Sequence, residues 1–172
     1  AANIGSKAPQ LQIEHWVKGK PVDLAKADDK KIHVIEVWAT WCGPCRDSIP
    51  HLTKLQEKYK GKGVTVIGIT DEPTATVERF VRRQKKQMEY TVAIEKGDTM
   101  SQAYMRAFGQ TGIPATFVVD QQDRIVWVGH PKSGLDDVLP IKIIQVVQLG
   151  KQQLLRRLKQ EIVQTQPGQS LL

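Results

Sequence analysis

The chain has 172 residues, a formal net charge of +7, 40% hydrophobic and 25% charged residues, and two cysteines. That length supports one domain with a real core, and no run reaches the ~18–20 apolar residues of a membrane span. The basic residues are largely dispersed, with pairs such as Arg82-Arg83, Lys85-Lys86 and Arg156-Arg157, and aromatics make up only 6%, which argues against a nucleic-acid-binding platform. One close cysteine pair is too few for a disulfide-stapled scaffold. The chain opens Ala1-Ala2-Asn3 without an intact signal peptide, which fits a mature form left after signal or anchor removal.

In chain order, Leu11-Gln12-Ile13 and Pro21-Val22-Asp23-Leu24 flank the turn Lys18-Gly19-Lys20 and predict a short N-terminal hairpin. Ile32 to Val37 is apolar at nearly every position, the pattern of a central strand buried on both faces. It leads into a helix over 43–59, stopped by Gly61 and Gly63, and then a second buried strand over 64–69. Pro73 opens a helix to about Gln87 with Val77, Phe80 and Val81 on its apolar side. Residues 90–94 read as a strand and 99–108 as a short helix, followed by a hairpin of strands 115–119 and 124–128 around a polar turn. Two helices follow, 135–148 and 151–163, separated at Gly150. The second carries Leu154, Leu155, Leu158 and Ile162 at helical spacing, read as an intramolecular packing face. Residues 164–172 are polar and read as a disordered tail. Strands alternating with helices predict one α/β domain with a mixed sheet over residues 1–163, its core about 5–139 and its helical extension 140–163.

Both cysteines lie in Trp41-Cys42-Gly43-Pro44-Cys45. Three residues apart at a helix start, they share one face and their sulfurs can meet. So small a loop stabilises a fold little through chain entropy, so the pair is read as reversible chemistry rather than a staple. The helix N-terminus offers Cys42 unpaired N–H groups and the positive dipole end, which favour a thiolate. Cys45, one turn inside, is expected to be shielded and to act second. Pro44 at the first turn loses no hydrogen bond. A zinc site needs four ligands, and neither a second CxxC nor paired histidines supply them, so no metal is expected. Glu36 stands in the apolar strand six residues before Cys42, on the face shared with Val34 and Trp38. A carboxyl there is desolvated, with a raised pKa, and could accept the Cys45 proton.

These motifs in combination resemble the thioredoxin superfamily, and within it the TlpA/ResA-like extracytoplasmic thiol-disulfide oxidoreductases. Val37-Trp38-Ala39-Thr40-Trp41-Cys42-Gly43-Pro44-Cys45 resembles the active-site strand and turn, Pro50 the proline of the active-site helix, Gly112-Ile113-Pro114 the cis-proline loop, and Gly129 the glycine closing the last strand. The opening Gly5-Ser6-Lys7-Ala8-Pro9 and the stretch from Glu72 to Tyr104 resemble that branch's start and central insertion. Ser48 stands where several relatives carry an acid, and Glu36 where thioredoxin has its buried one.

The resemblance implies a thioredoxin-like mixed β-sheet flanked by helices, with N-terminal hairpin, central insertion and extra C-terminal helices. It implies catalysis by Cys42 and Cys45, assisted by Glu36 and by Pro114 in a cis peptide bond, although an X–Pro bond judged by sequence alone is trans. Trp41, Gly43, Pro44 and Ile113 are the expected substrate-binding residues, the Ile113 backbone pairing with an extended partner. No cofactor is implied. The partners are protein disulfide substrates and an upstream dithiol donor, membrane-embedded in one version, and the location is extracytoplasmic, with cytoplasmic as the alternative. A Cys-Gly-Pro-Cys turn leans towards reduction, since thioredoxin lies near about −270 mV and the oxidant DsbA near about −120 mV. Thiol oxidase or isomerase action, peroxidase chemistry and a non-enzymatic interaction module are the competing readings.

Overall fold

The structure is a computed structural model that describes residues 2–26 and 31–165. Among them, six strands form one sheet in the order β1-β4-β3-β2-β5-β6. These are β1 (Ile13–Lys18), β2 (Ile32–Val37), β3 (Val64–Thr70), β4 (Thr91–Glu95), β5 (Ala115–Val119) and β6 (Ile125–Gly129). β2 and β3, and β3 and β4, run parallel, while the β1–β4, β2–β5 and β5–β6 pairs are antiparallel. The helices are α1 (Gly43–Tyr59), α2 (Thr74–Gln84) and α3 (Leu135–Thr165).

The central strand β2 is buried on both faces, and strict alternation sorts its side chains. Ile32, Val34 and Trp38 join the cluster that seats Ile49, Leu52 and Leu55 of α1, Val77 of α2 and Leu135 and Leu139 of α3. Ile35 joins Ile67, Ile69, Phe117 and Tyr104 on the other face. There the Tyr104 and Phe117 rings meet edge to face at 5.2 Å, a favoured aromatic geometry. The first residues lie along β6: Gly5 N–H donates to the Ile125 carbonyl at 2.7 Å and Ile125 N–H donates to that of Ser6 at 2.9 Å. That covers an edge that would otherwise present unpaired backbone groups.

Four expectations are corrected. The N-terminal hairpin does not form: the segment Pro21-Val22-Asp23-Leu24 is no strand, and β1 pairs with β4 instead, Trp16 opposite Ala93. Gly19 turns with a positive φ of 82° and passes so close to Thr91 that a Cβ would collide with it. The chain therefore leaves the sheet where a hairpin partner would begin. The helix expected over 99–108 is a π-helix, Met100–Arg106, a form frequent at functional sites. α3 is one helix of 31 residues running straight through Gly150. A glycine costs only about 1 kcal/mol in a helix interior, and no neighbouring proline or cap ends the ladder there. Lastly, the Leu154–Ile162 stripe is not packed inside; its four leucine and isoleucine side chains are exposed. Of the expected tail, residues 164 and 165 belong to α3, and 166–172 lie outside the described residues.

Candidate active site

β2 ends at Val37, and Trp38 N–H donates to the Ile69 carbonyl of β3 at 3.2 Å, so the turn that follows starts from the middle of the sheet. Glu72 clamps this turn. Its carboxylate accepts from Thr40 N–H at 2.8 Å, from the Thr40 hydroxyl at 2.6 Å and from the Thr70 hydroxyl at 3.0 Å. Sequence reasoning placed Glu72 only at the start of an insertion. The available signal was Thr70-Asp71-Glu72-Pro73, a polar turn directly after an apolar strand.

Cys42 is the N-cap of α1, and its sulfur accepts from Cys45 N–H at 3.1 Å. The sulfur thus takes the place an N-cap oxygen usually fills. The first turn holds no acidic residue, so nothing there opposes negative charge at the positive end of the helix dipole. Cys42 and Cys45 are joined as a disulfide, with Cα atoms 5.2 Å apart. Cys45 is shielded as expected, at 1% exposure, but Cys42 is also nearly covered, at 3%. The cover comes from the loop opposite: the Ile113–Pro114 bond is cis, and the Ile113 carbonyl oxygen lies 3.7 Å from Cys42 Sγ. Ser48 turns inward, its hydroxyl donating to the Pro44 carbonyl at 3.0 Å. Pro50 lies inside α1, which continues past it.

A groove of about 490 Å³ runs beside this site between the turn, the π-helix and the cis-proline loop. Trp41, which is 72% exposed, and Ile113 both line it, together with Met100, Met105, Arg106 and Gln110. Gly43 and Pro44, also expected to bind substrate, do not line it. A larger hollow of about 780 Å³ beside Trp16, Leu24 and His33 lies towards the opposite end of β2 and contains neither cysteine.

Glu36 is 1% exposed. Val34 and Trp38, its neighbours on the same face by strand alternation, belong to the cluster that contains both cysteines. Burial pushes its carboxyl well above the ordinary value, because the charged form loses its water. Its Oε1 makes no hydrogen bond among the described residues, and the same is true of the Trp38 indole N–H, the Tyr90 hydroxyl and the Thr116 hydroxyl. Thr116 stands opposite Glu36 on β5 and Gly68 opposite it on β3. A Cβ at Gly68 would approach Trp38 Nε1 to 2.9 Å and Tyr90 Cε2 to 3.2 Å. The Tyr90 hydroxyl is held above its usual pKa by burial first and by the Glu36 charge second. Tyr90 was read only as the start of a strand. Of the histidines, His51 Nε2 of α1 lies 3.1 Å from Asp136 Oδ2 of α3 without the geometry of a hydrogen bond. Among the described residues, no three His, Cys, Asp or Glu side chains converge as a metal site.

A family model described as Redoxin matches residues 3–138. The thiol-disulfide oxidoreductase ResA of Bacillus thuringiensis subsp. konkukian is 31% identical over 124 residues, which is 72% of this chain and 67% of that protein. ResA of Halalkalibacterium halodurans is 31% identical over 128 residues, 74% of this chain and 68% of its own length. Among solved structures, a thiol:disulfide interchange protein of the thioredoxin family from Chlorobium tepidum superposes with a TM-score of 0.66 at 27% identity, over 83% of this chain and 99% of that one. The chain belongs to the Redoxin family and is a ResA-like thiol-disulfide oxidoreductase of the thioredoxin superfamily.

Proposed function

We propose that the chain works as a reductase of disulfides in protein partners outside the cytoplasm, with Cys42 as the attacking and Cys45 as the resolving cysteine. The observation that carries this reading is the capping position of Cys42, whose sulfur accepts the Cys45 N–H at the head of α1. In the reduced chain, the Cys42 thiolate attacks one sulfur of a substrate disulfide. A Cys42–substrate bond forms, the substrate S–S bond breaks, and the departing thiolate takes a proton. Cys45 then loses its proton to Glu36, where the deprotonated carboxylate acts as general base. The Cys45 thiolate attacks Cys42 Sγ, forming the intramolecular disulfide and releasing the second substrate thiol. Two electrons pass to the substrate, and an upstream dithiol protein, membrane-embedded in one version, restores the reduced pair.

The groove beside Trp41 and Ile113 is where the partner's chain would lie, its backbone adding alongside Ile113 in the manner of an extra strand. Pro114 in its cis bond presents the Ile113 carbonyl towards Cys42. Gly43 and Pro44 bring no charged or hydrogen-bonding side chain to the thiolate, so they set its poise by what they leave out.

The test is Cys45→Ser expressed in cells. Protein partners are expected to accumulate as adducts on Cys42 that dissolve on reduction, and the wild-type chain is expected to reduce insulin. A variant that traps no partner, together with a wild type inert towards insulin, would defeat the reading. Direction is tested by equilibrating the pair against glutathione: a potential near that of thioredoxin supports reduction, and one near about −120 mV marks an oxidant.

A further inference from the structure

We propose that the exposed stripe of α3 docks the protein on an anionic membrane surface. The helix seats Leu135, Leu139 and Val146 in the core. At about 100° per residue, Ile144, Val147, Leu154, Leu155, Leu158 and Ile162 gather on the far side of the same helix. All six are between 45% and 60% exposed. Because Gly150 does not break α3, the stripe is continuous across the packed and the projecting parts of the helix. From Lys151 onward every residue with a described side chain is exposed, so among the described residues Leu154, Leu155 and Leu158 are not packed into the core.

Three features select the occupant. The segment 141–165 carries Lys142, Lys151, Arg156, Arg157 and Lys159 against the single acid Glu161. By the same spacing Lys151 lies within the stripe and Lys159 at its edge, while Lys142, Arg156 and Arg157 lie on the opposite, polar side, so the first two are the cations placed near anionic headgroups, each worth about 1 kcal/mol, or about fivefold in partitioning. Lys151 falls in the middle of the stripe by the same angular spacing. In a helix pair formed with a second copy, that ammonium would be buried at the seam opposite another cationic helix. At a membrane its aliphatic stem lies along the apolar surface while the ammonium reaches the phosphates. Finally, among the described residues no helix is long and apolar enough to cross a membrane, so α3 would lie on the bilayer. The stripe points away from the seating face, which leaves the domain on the water side.

The experiment uses the full chain with vesicles of phosphatidylcholine, alone or mixed with phosphatidylglycerol, and reads cosedimentation. Binding is expected to the mixed vesicles only, with release at high salt. The double variant Leu155→Glu/Leu158→Glu is expected to weaken binding by about tenfold or more, since each leucine loses its apolar contact. Lys151→Gln/Lys159→Gln should weaken it by about fivefold per charge removed. All four side chains are exposed, so insulin reduction and the melting temperature serve as controls and should not move. Absence of cosedimentation with either vesicle overturns the proposal, as does binding that the leucine variant leaves intact. A concentration-dependent dimer that the leucine variant dissolves, in a chain that ignores vesicles, would assign the stripe to a second copy instead.

Discussion

Two carboxylates flank the route from β2 to the cysteines, and they live in opposite circumstances. Glu72 is saturated, accepting three hydrogen bonds from Thr40 and Thr70 at the turn. Glu36, a short way back along the strand, is buried among apolar neighbours with Oε1 unbonded among the described residues and its proton held tightly. A carboxylate with its acceptors satisfied fixes geometry; a buried one with an unbonded oxygen is suited to trade protons. In the proposed mechanism Glu72 holds the turn that leads to Cys42, and Glu36 serves Cys45.

The sharpest way to break that division is Glu36→Gln. The amide keeps the shape and removes the base, so release of the mixed disulfide should slow by about a hundredfold. Cys42 alkylation in the reduced variant should stay near wild type. Rapid-quench trapping of the mixed disulfide measures the first, iodoacetamide kinetics the second, and equal slowing of both would erase the distinction. In the wild type the resolving step should accelerate as pH rises through the raised Glu36 pKa, and this inflection should be absent from the variant.

Glu72→Ala should instead strike stability. It strands the Thr40 N–H and two hydroxyls, a loss of about 2 kcal/mol, which lowers the melting temperature by about 4–8 °C in a chain of this size. Its turnover at moderate temperature should fall less than that of Glu36→Gln. If calorimetry shows an unchanged melt while resolution collapses, the roles of the two acids have been exchanged.

A smaller effect separates the acids by pH. The folded chain keeps the Glu36 proton in a range above 4.5 where the unfolded chain has already lost it. The folded state then binds more protons, so its stability declines as pH rises from the ordinary carboxyl value through the raised one. Glu36→Gln lacks this decline. Its melting temperature relative to wild type should climb between mildly acid and alkaline pH, whereas a difference that stays flat would mean the carboxyl is not desolvated.

The smallest change is expected from Tyr90→Phe, which removes a buried hydroxyl without a hydrogen-bond partner among the described residues. Stability should shift by no more than about 1 kcal/mol. With one polar group fewer near Glu36, the pH inflection of the resolving step should move upward. An unmoved inflection would detach Tyr90 from the proton-transfer pocket.

Much of this site was legible because its signals are local. Two cysteines at helical spacing, a proline behind them and an acid at an even offset in an apolar strand declare their faces without any knowledge of the fold. The cis bond at Pro114 needed the family resemblance, since nothing in Gly112-Ile113-Pro114 alone overrides the trans preference. What stayed hidden depends on contacts distant in sequence. β1 could have paired with its neighbour in the chain, but the open edge of β4 and the close passage of Gly19 over Thr91 decided otherwise. Glu72 and Tyr90 carry no motif of their own; they matter because the sheet brings them to Thr40 and Glu36. Gly150 misled because a glycine suggests a helix end, while the ladder on either side was strong enough to pass through it.

The small residue opposite Glu36 has a consequence for how this redox centre answers its surroundings. A buried acid can be neutralised by a neighbouring cation or by its own proton. The cross-strand position on β3 is shut to a lysine, because even a methyl group at Gly68 would press on the Trp38 indole. On β5 the opposite residue is the uncharged Thr116, and burial favours the protonated carboxyl. An ion pair would have tied the carboxyl to ionic strength; a proton ties it to acidity, so under the proposed role of Glu36 the pace of thiol exchange follows pH rather than salt.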